Sequence, residues 1–149
     1  MILFIEVILK HIYEQEKAYA WPRPEVCPRC NNYKVWGHGY VARLFDGFRT
    51  ALLLKCYRCP ACGCVITLRP KTYFLGIQAP IAAIRAALSC RLKTGRWPPE
   101  GSSSRKRHWL VNLRRRIKAH LSNVWDKGEL DGFDRLQSLG IVPVSRLLM

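Results

Sequence analysis

Apolar and polar residues follow different periods in the two halves of this 149-residue chain. In the first half, "YVARLFDGFRTALLLKC" (residues 40–56) holds two β-prone runs on either side of Asp46-Gly47, a dipeptide that favours a tight hairpin. The run "CVITL" (residues 64–68) can add one more strand. The pattern predicts a small sheet of three strands.

From residue 79 to about residue 125 the apolar residues recur at helical spacing. Pro80 suits the first position of a helix, and its apolar stripe is Ile81, Ile84, Leu88 and Leu92. The linker "TGRWPPEGSSS" (residues 94–104) follows, and its three serines are N-cap candidates for a second helix. The second stripe comprises Leu110, Leu113, Ile117, Leu121 and Val124, and Trp109 and Trp125 are expected to help bury it.

These patterns divide the chain into four segments. Residues 1–20 are predicted as a strand or short helix, 21–75 as the sheet region, 76–125 as the helical region, and 126–149 as a tail with no clear element. The N-terminal "MILFIEVILK" is apolar but short, contains Glu6 and lacks a basic leader, so it favours neither a signal peptide nor a membrane span. We expect a soluble, cytoplasmic protein with a modest core that a metal ion would help to stabilise.

Six of the seven cysteines lie in the sheet region, where they form closely spaced pairs. Such pairs are typical of thiolate metal sites in reducing compartments. In a zinc knuckle, two cysteines three residues apart precede a residue in a left-handed conformation, which Gly adopts readily and Asn next best. "CPRCN" (residues 27–31) and "CPACG" (residues 59–63) fit this pattern, whereas pairing Cys56 with Cys59 would put Pro60 in the left-handed position.

The sequence therefore predicts that Cys27, Cys30, Cys59 and Cys62 bind one tetrahedral, structural zinc ion. All four coordination positions would be filled by protein, which leaves none for a substrate. The remaining cysteines, Cys56, Cys64 and Cys90, are expected to be small buried or half-buried residues. His38 is expected to have a structural role rather than to bind the metal. The predicted fold class is α+β, a three-stranded zinc ribbon followed by a helix-turn-helix-like helical segment.

The formal net charge of +15 favours polyanionic partners. Residues 85–118 contain eleven basic residues and one acid, whereas residues 126–134 contain four carboxylates and one lysine. A solvated basic surface is the alternative interpretation.

On the second helix, Arg107, Arg114 and Lys118 share a face, and Arg115 lies near its edge. This arrangement resembles a recognition helix, although the linker is longer than a strict helix-turn-helix allows. We expect these four to contact DNA phosphates or guanine edges, and Arg105, Lys106 and Arg116 to contact the DNA backbone.

The segments "WPRPEVCPRCNNYKVWGHGYVARLF" and "RCPACGCVITLRPKTYF" resemble zinc-ribbon proteins of bacterial mobile elements, which are described as transposase-like or helix-turn-helix proteins. The resemblance covers residues 21–74, extends more weakly to about residue 120 and does not cover the tail. It places Cys27, Cys30, Cys59 and Cys62 at the metal positions and His38-Gly39 at a recurrent dipeptide. It implies DNA binding in an element-associated setting and does not imply catalysis.

The sequence thus predicts a non-enzymatic, nucleoid-associated protein that binds double-stranded DNA, as a recognition or regulatory component of a mobile element or a transcription regulator derived from one. A transposase or another element-encoded protein is a further expected partner, whereas a membrane or a small-molecule substrate is not. One rival is an RNA- or single-strand-binding protein in which Tyr33, Trp36 and Tyr40 stack on bases. The other is an adaptor that docks on a transposase or polymerase.

Overall fold

Four strands form one mixed sheet in the computed structural model, which describes residues 1–146. They are β1 (Ile2–Ile5), β2 (Trp36–Arg43), β3 (Leu52–Arg58) and β4 (Val65–Pro70), in the order β1-β4-β3-β2. Strand β3 is antiparallel to both β2 and β4, whereas β1 lies parallel to β4. The prediction of three strands was therefore one short, because the N-terminal segment supplies an edge strand.

The sheet belongs to the first of two units, which covers Met1–Tyr73 and is called the sheet unit below; the helical unit begins at Phe74. The α+β class is confirmed. Positions 147–149 of the predicted tail lie outside the described residues.

The connection between β2 and β3 is longer than a two-residue hairpin turn. It spans residues 44–51, and Gly47 has a φ of 88° within it. Phe45 is buried, and its ring meets the edge of Tyr73 with 4.9 Å between centroids, so an apolar residue of the connection belongs to the core. The Asp46-Gly47 signal therefore located the turn but not its length.

Two apolar clusters stabilise the sheet unit. Helix α1 (Leu9–Gln15) buries Leu9 and Ile12 together with Leu52 and Leu54 of β3. The second cluster joins strand residues to the cysteine-containing loops; its buried members are Cys27, Val35, Tyr57, Cys59, Cys64, Ile66 and Leu68. The cysteine-containing loops are therefore part of a packed core, in which they contact residues of the sheet.

The helical unit contains α2 (Ile81–Thr94), α3 (Ser103–His120) and α4 (Glu129–Ser138). Both predicted helices are present, and Ser102 is the N-cap of α3, since its Oγ accepts a hydrogen bond from the backbone N–H of Arg105 at 3.3 Å. The shared core draws on all three helices and includes Ile84, Leu88, Trp109, Leu110, Leu113, Ile117, Phe133 and Leu136.

Two details of the helical prediction were wrong. Helix α4 lies in the tail that was predicted to have no clear element; its Leu130, Phe133 and Leu136 recur at helical spacing and pack in the core. That spacing is a usable signal, although the glycines at positions 128, 132 and 140 also favour a loop. The apolar stripe of α3 also ends earlier than predicted, because the helix stops at His120 and Val124 is 84% exposed.

Candidate metal centre and basic helix face

Two loops of nearly identical backbone geometry present the paired cysteines. In the first, the N–H of Asn31 donates to the carbonyl of Cys27 at 2.8 Å; in the second, the N–H of Gly63 donates to the carbonyl of Cys59 at 2.9 Å. Asn31 and Gly63 both have left-handed backbones, with φ of 60° and 73°. Each loop is closed by a further bond of 2.9 Å from the first cysteine's N–H to the carbonyl five residues on. The left-handed positions are those that the sequence predicted.

The four sulfur atoms of these loops converge on one point. The Sγ atoms of Cys27, Cys30, Cys59 and Cys62 all lie within 4.8 Å of one another. Across the two loops, Cys27 Sγ is 3.7 Å from Cys62 Sγ, and Cys30 Sγ is 3.5 Å from Cys59 Sγ. The predicted set of four cysteines is therefore brought together and can hold one metal ion.

Backbone N–H groups aimed at the sulfurs favour the thiolate at the first cysteine of each pair. The N–H of Cys62 lowers the pKa of Cys59 to about 6 against the opposing effect of burial. Burial raises the pKa of Cys27, but the N–H of Cys30 and a second backbone N–H outweigh it, so the pKa of Cys27 is lowered. The N–H of Asn32 lowers the pKa of Cys30, but the neighbouring sulfurs, that of Cys59 first, act together with burial to outweigh it and raise the pKa to about 12. A thiolate is the form that binds metal.

The other cysteines and His38 lie outside this group. Cys56 and Cys64 are buried, and Cys56 Sγ lies 3.5 Å from the hydroxyl of Thr67. His38 lies in β2, where the pairing register with β3 shifts between Gly37 and Tyr40. The left-handed Gly39, with a φ of 76°, lies within this irregularity. The His38-Gly39 dipeptide thus coincides with a bulge in the edge strand.

Helix α3 presents a row of cationic side chains to solvent. Arg107, Arg115 and Lys118 are exposed, and the part of the chain that the structure describes offers them no ion pair or hydrogen bond. Their spacings of eight and three place them on one side of the helix, with Val111 between them at 43% exposure. Arg114 belongs to the same side, but its Nε lies 3.3 Å from a carboxylate oxygen of Glu129 in α4.

Three other predicted DNA-contacting residues have structural partners. Lys106 is only 5% exposed, and its Nζ donates to the carbonyl of Pro98 at 2.5 Å. Arg116 donates to the backbone carbonyls of Ser145 and Arg146 at 3.2 and 2.7 Å, and so ties the C-terminal segment to α3. Arg105 is exposed, with its guanidinium 5.0 Å from the ring centroid of Trp109. The structure therefore separates the predicted set into an exposed row and residues that stabilise the helical unit.

Comparison with protein-family models, with curated proteins and with solved structures finds no match for this chain. The resemblance to mobile-element zinc-ribbon proteins thus stays a prediction. None of the helices in residues 1–146 has the length and apolar character needed to cross a bilayer.

Proposed function

We propose that this chain is a zinc-stabilised protein that binds double-stranded DNA through the exposed basic face of α3, defined as Arg107, Arg114, Arg115 and Lys118. The observation that carries the proposal is the row of three exposed cations on one side of α3 that have no carboxylate partner in the described structure.

Zinc is the ion that suits the cysteine group best. Four thiolates are a soft donor set that selects Zn²⁺ or Fe over hard cations such as Mg²⁺ and Ca²⁺. Sulfur atoms about 2.3 Å from a tetrahedral zinc lie roughly 3.8 Å apart, and the distances across the two loops are 3.5 and 3.7 Å. Because the four cysteines complete the coordination, the ion would crosslink two loops of the sheet unit and take no part in chemistry.

Duplex DNA is the polyanion that a rigid, one-sided row of cations fits. Packing of Leu110, Leu113 and Ile117 in the core fixes the orientation of α3 in the helical unit, so the backbone positions of its charged residues are fixed along one side. An α-helix fits the major groove of B-DNA, where arginine and lysine contact phosphates and guanine edges. Val111, exposed among these cations, is suited to contact a thymine methyl group.

The ion pair of Arg114 with Glu129 does not oppose this function. Its side chains are 57% and 32% exposed, so the pair contributes little to stability and a phosphate can compete for the guanidinium. The helix-turn-helix interpretation rests on the sequence pattern of residues 94–120. The role in a mobile element rests on the resemblance of residues 21–74.

The proposal is tested by titrating the full chain into a fluorescent duplex pool at several salt concentrations. We expect log affinity to fall linearly with log salt, with a slope of about −0.9 for each phosphate contacted, or roughly −3 to −4 for this face. Absence of duplex binding at low salt, or binding that does not weaken with salt, would contradict the proposal.

A further inference from the structure

Two aromatic residues of the sheet unit, three positions apart in the sequence, have exposed rings. Tyr33 is 85% exposed and Trp36 is 60% exposed, and neither ring stacks on another ring in the described residues. Both line an open pocket of about 470 Å³ together with Arg23 and Lys34. We call this feature the aromatic pocket. Its volume falls in the range of about 300–1,000 Å³ that is usual for small-molecule sites.

The aromatic pocket is held in shape by the first cysteine loop. Asn32 accepts a hydrogen bond from the N–H of Cys27 at 2.9 Å through its carbonyl, and its Nδ2 donates to the carbonyl of Lys34 at 3.0 Å. Val35, between the exposed residues, is only 2% exposed and packs in the cluster that contains Cys27. The rings therefore project from a fixed backbone, which lowers the entropy lost when a ligand binds.

Cationic residues line the pocket beside these rings or lie on the adjacent strand. Arg23 and Lys34 line the pocket, and Glu25 is the acidic residue that the described part of the chain contributes to its lining. Arg58 of β3 is the cross-strand partner of Trp36 and is exposed. The guanidinium of Arg23 lies 5.8 Å from the ring centroid of Tyr57, a contact that helps to position it at the pocket.

We propose that the aromatic pocket binds unpaired nucleotides of single-stranded nucleic acid. Tyr33 and Trp36 would stack on one or two bases, and Arg23, Lys34 and Arg58 would contact the adjoining phosphates. Proteins that bind single strands combine aromatic stacking surfaces with positive charge in this way, whereas the bases of an intact duplex offer no free face to stack on. The inference goes beyond the proposed duplex binding, because it rests on residues of the sheet unit and not on the basic face of α3.

The test compares variants of the full, metal-loaded chain on a labelled 12-nucleotide oligo-dT, an oligo-U of the same length and a blunt-ended duplex of two annealed strands, which has no unpaired loop. The variant Tyr33→Ala/Trp36→Ala should lose roughly 5- to 150-fold in single-strand affinity for each base stacked. Duplex affinity should stay close to that of the unaltered chain. Phe4→Ala is the matched control, because Phe4 is a 44% exposed aromatic residue on the opposite edge strand, β1.

Two further arms separate stacking from simple charge. Trp36→Phe, which keeps an aromatic face, should retain most of the single-strand affinity. Unlabelled poly-glutamate, which carries negative charge without bases, should compete poorly. Unchanged single-strand affinity in the double variant, equal losses on single strand and duplex, or efficient competition by poly-glutamate would each overturn the inference. Single-strand binding that stays intact in α3 variants would support the inference, whereas duplex binding that survives in those variants would contradict the proposed function alone.

Discussion

Asn31 and Gly63 occupy equivalent positions in two separate loops, and both have left-handed backbones directly after the second cysteine of a pair. Their φ angles are 60° and 73°, and each N–H donates to the carbonyl of the first cysteine of its own loop. This shared turn is what aims four sulfur atoms at one point.

Replacing Gly63 by Ala should therefore destabilise the sheet unit by about 1–2 kcal/mol, the cost of a left-handed backbone for a residue with a Cβ. The reason is conformational rather than steric, because a Cβ there would meet nothing closer than Arg58 Nη2 at 4.0 Å. Gly63→Asn should cost less, and Asn31→Gly should be tolerated. Denaturant unfolding of the metal-loaded proteins measures these differences; equal stability of the Ala and Asn variants would contradict the argument.

Removing a sulfur from the cysteine group should release the metal. Cys59→Ser and Cys62→Ser are each expected to lose zinc and the folded sheet unit, because the remaining thiolates leave one coordination position unfilled. Elemental analysis and circular dichroism check this outcome. Cys56→Ser is a matched control, since Cys56 is buried like Cys59 but lies outside the group, and Cys64→Ser is a second. Zinc released by Cys56→Ser but kept by Cys62→Ser would show that a different set binds it.

The triple variant Arg107→Ala/Arg115→Ala/Lys118→Ala tests the basic face. Because these side chains are exposed, stability should change by no more than about 0.5 kcal/mol for each substitution. Duplex affinity should fall sharply, and the slope of log affinity against log salt should become shallower by roughly three units if all three contact phosphates.

Two variants control for a general loss of charge. Arg43→Ala/Arg49→Ala removes cations from the sheet unit and should leave the salt slope for duplex DNA nearly unchanged. Lys106→Ala should instead lower stability by about 1.5–3 kcal/mol, because Lys106 is buried and bonded to Pro98. If the sheet-unit pair abolished duplex binding while the α3 triple had no effect, α3 would not be the binding element.

Gly132 allows α4 to approach α3 closely. A Cβ built there would overlap Ile117 Cδ1 and would lie 2.7 Å from its Cγ1. Alanine favours a helix over glycine by about 1 kcal/mol, but overpacking costs roughly 1–3 kcal/mol, so Gly132→Ala should be neutral to destabilising despite its better helix propensity. A double-mutant cycle with Ile117→Ala should show the clash relieved, as a combined loss smaller than the sum of the single losses. Additive losses would show that no clash exists.

The ion pair between Arg85 of α2 and Asp134 of α4 should give a small, acid-sensitive contribution. The two guanidinium–carboxylate bonds of 2.9 and 2.8 Å lower the pKa of Asp134 below its usual value of 3.8. The contribution is present above pH 3.8 and is lost as the pH falls through the lowered pKa. Since both side chains are nearly half exposed, Asp134→Asn should cost at most about 1 kcal/mol at pH 7. The difference in unfolding free energy should vanish in strong acid; a difference that grew on acidification would contradict this sign.

The sequence alone determined the features that depend on local backbone chemistry. The four-cysteine group could be chosen among seven cysteines because Asn and Gly adopt left-handed backbones and Pro60 cannot. The helices α2 and α3 were equally predictable, since Ile84, Leu88, Leu113 and the N-cap Ser102 are local signals of a buried stripe and a helix start.

Tertiary structure decided what depends on distant neighbours. Strand β1 joins the sheet only because β4, more than sixty residues later, offers its free edge. The cations of α3 look alike in sequence, but Lys106 is covered by the linker at Pro98 and Arg116 by the segment at Ser145, while Arg107 remains exposed. The exposure of a charged side chain depends on which segments pack over it, and that packing cannot be inferred from the linear pattern of charges.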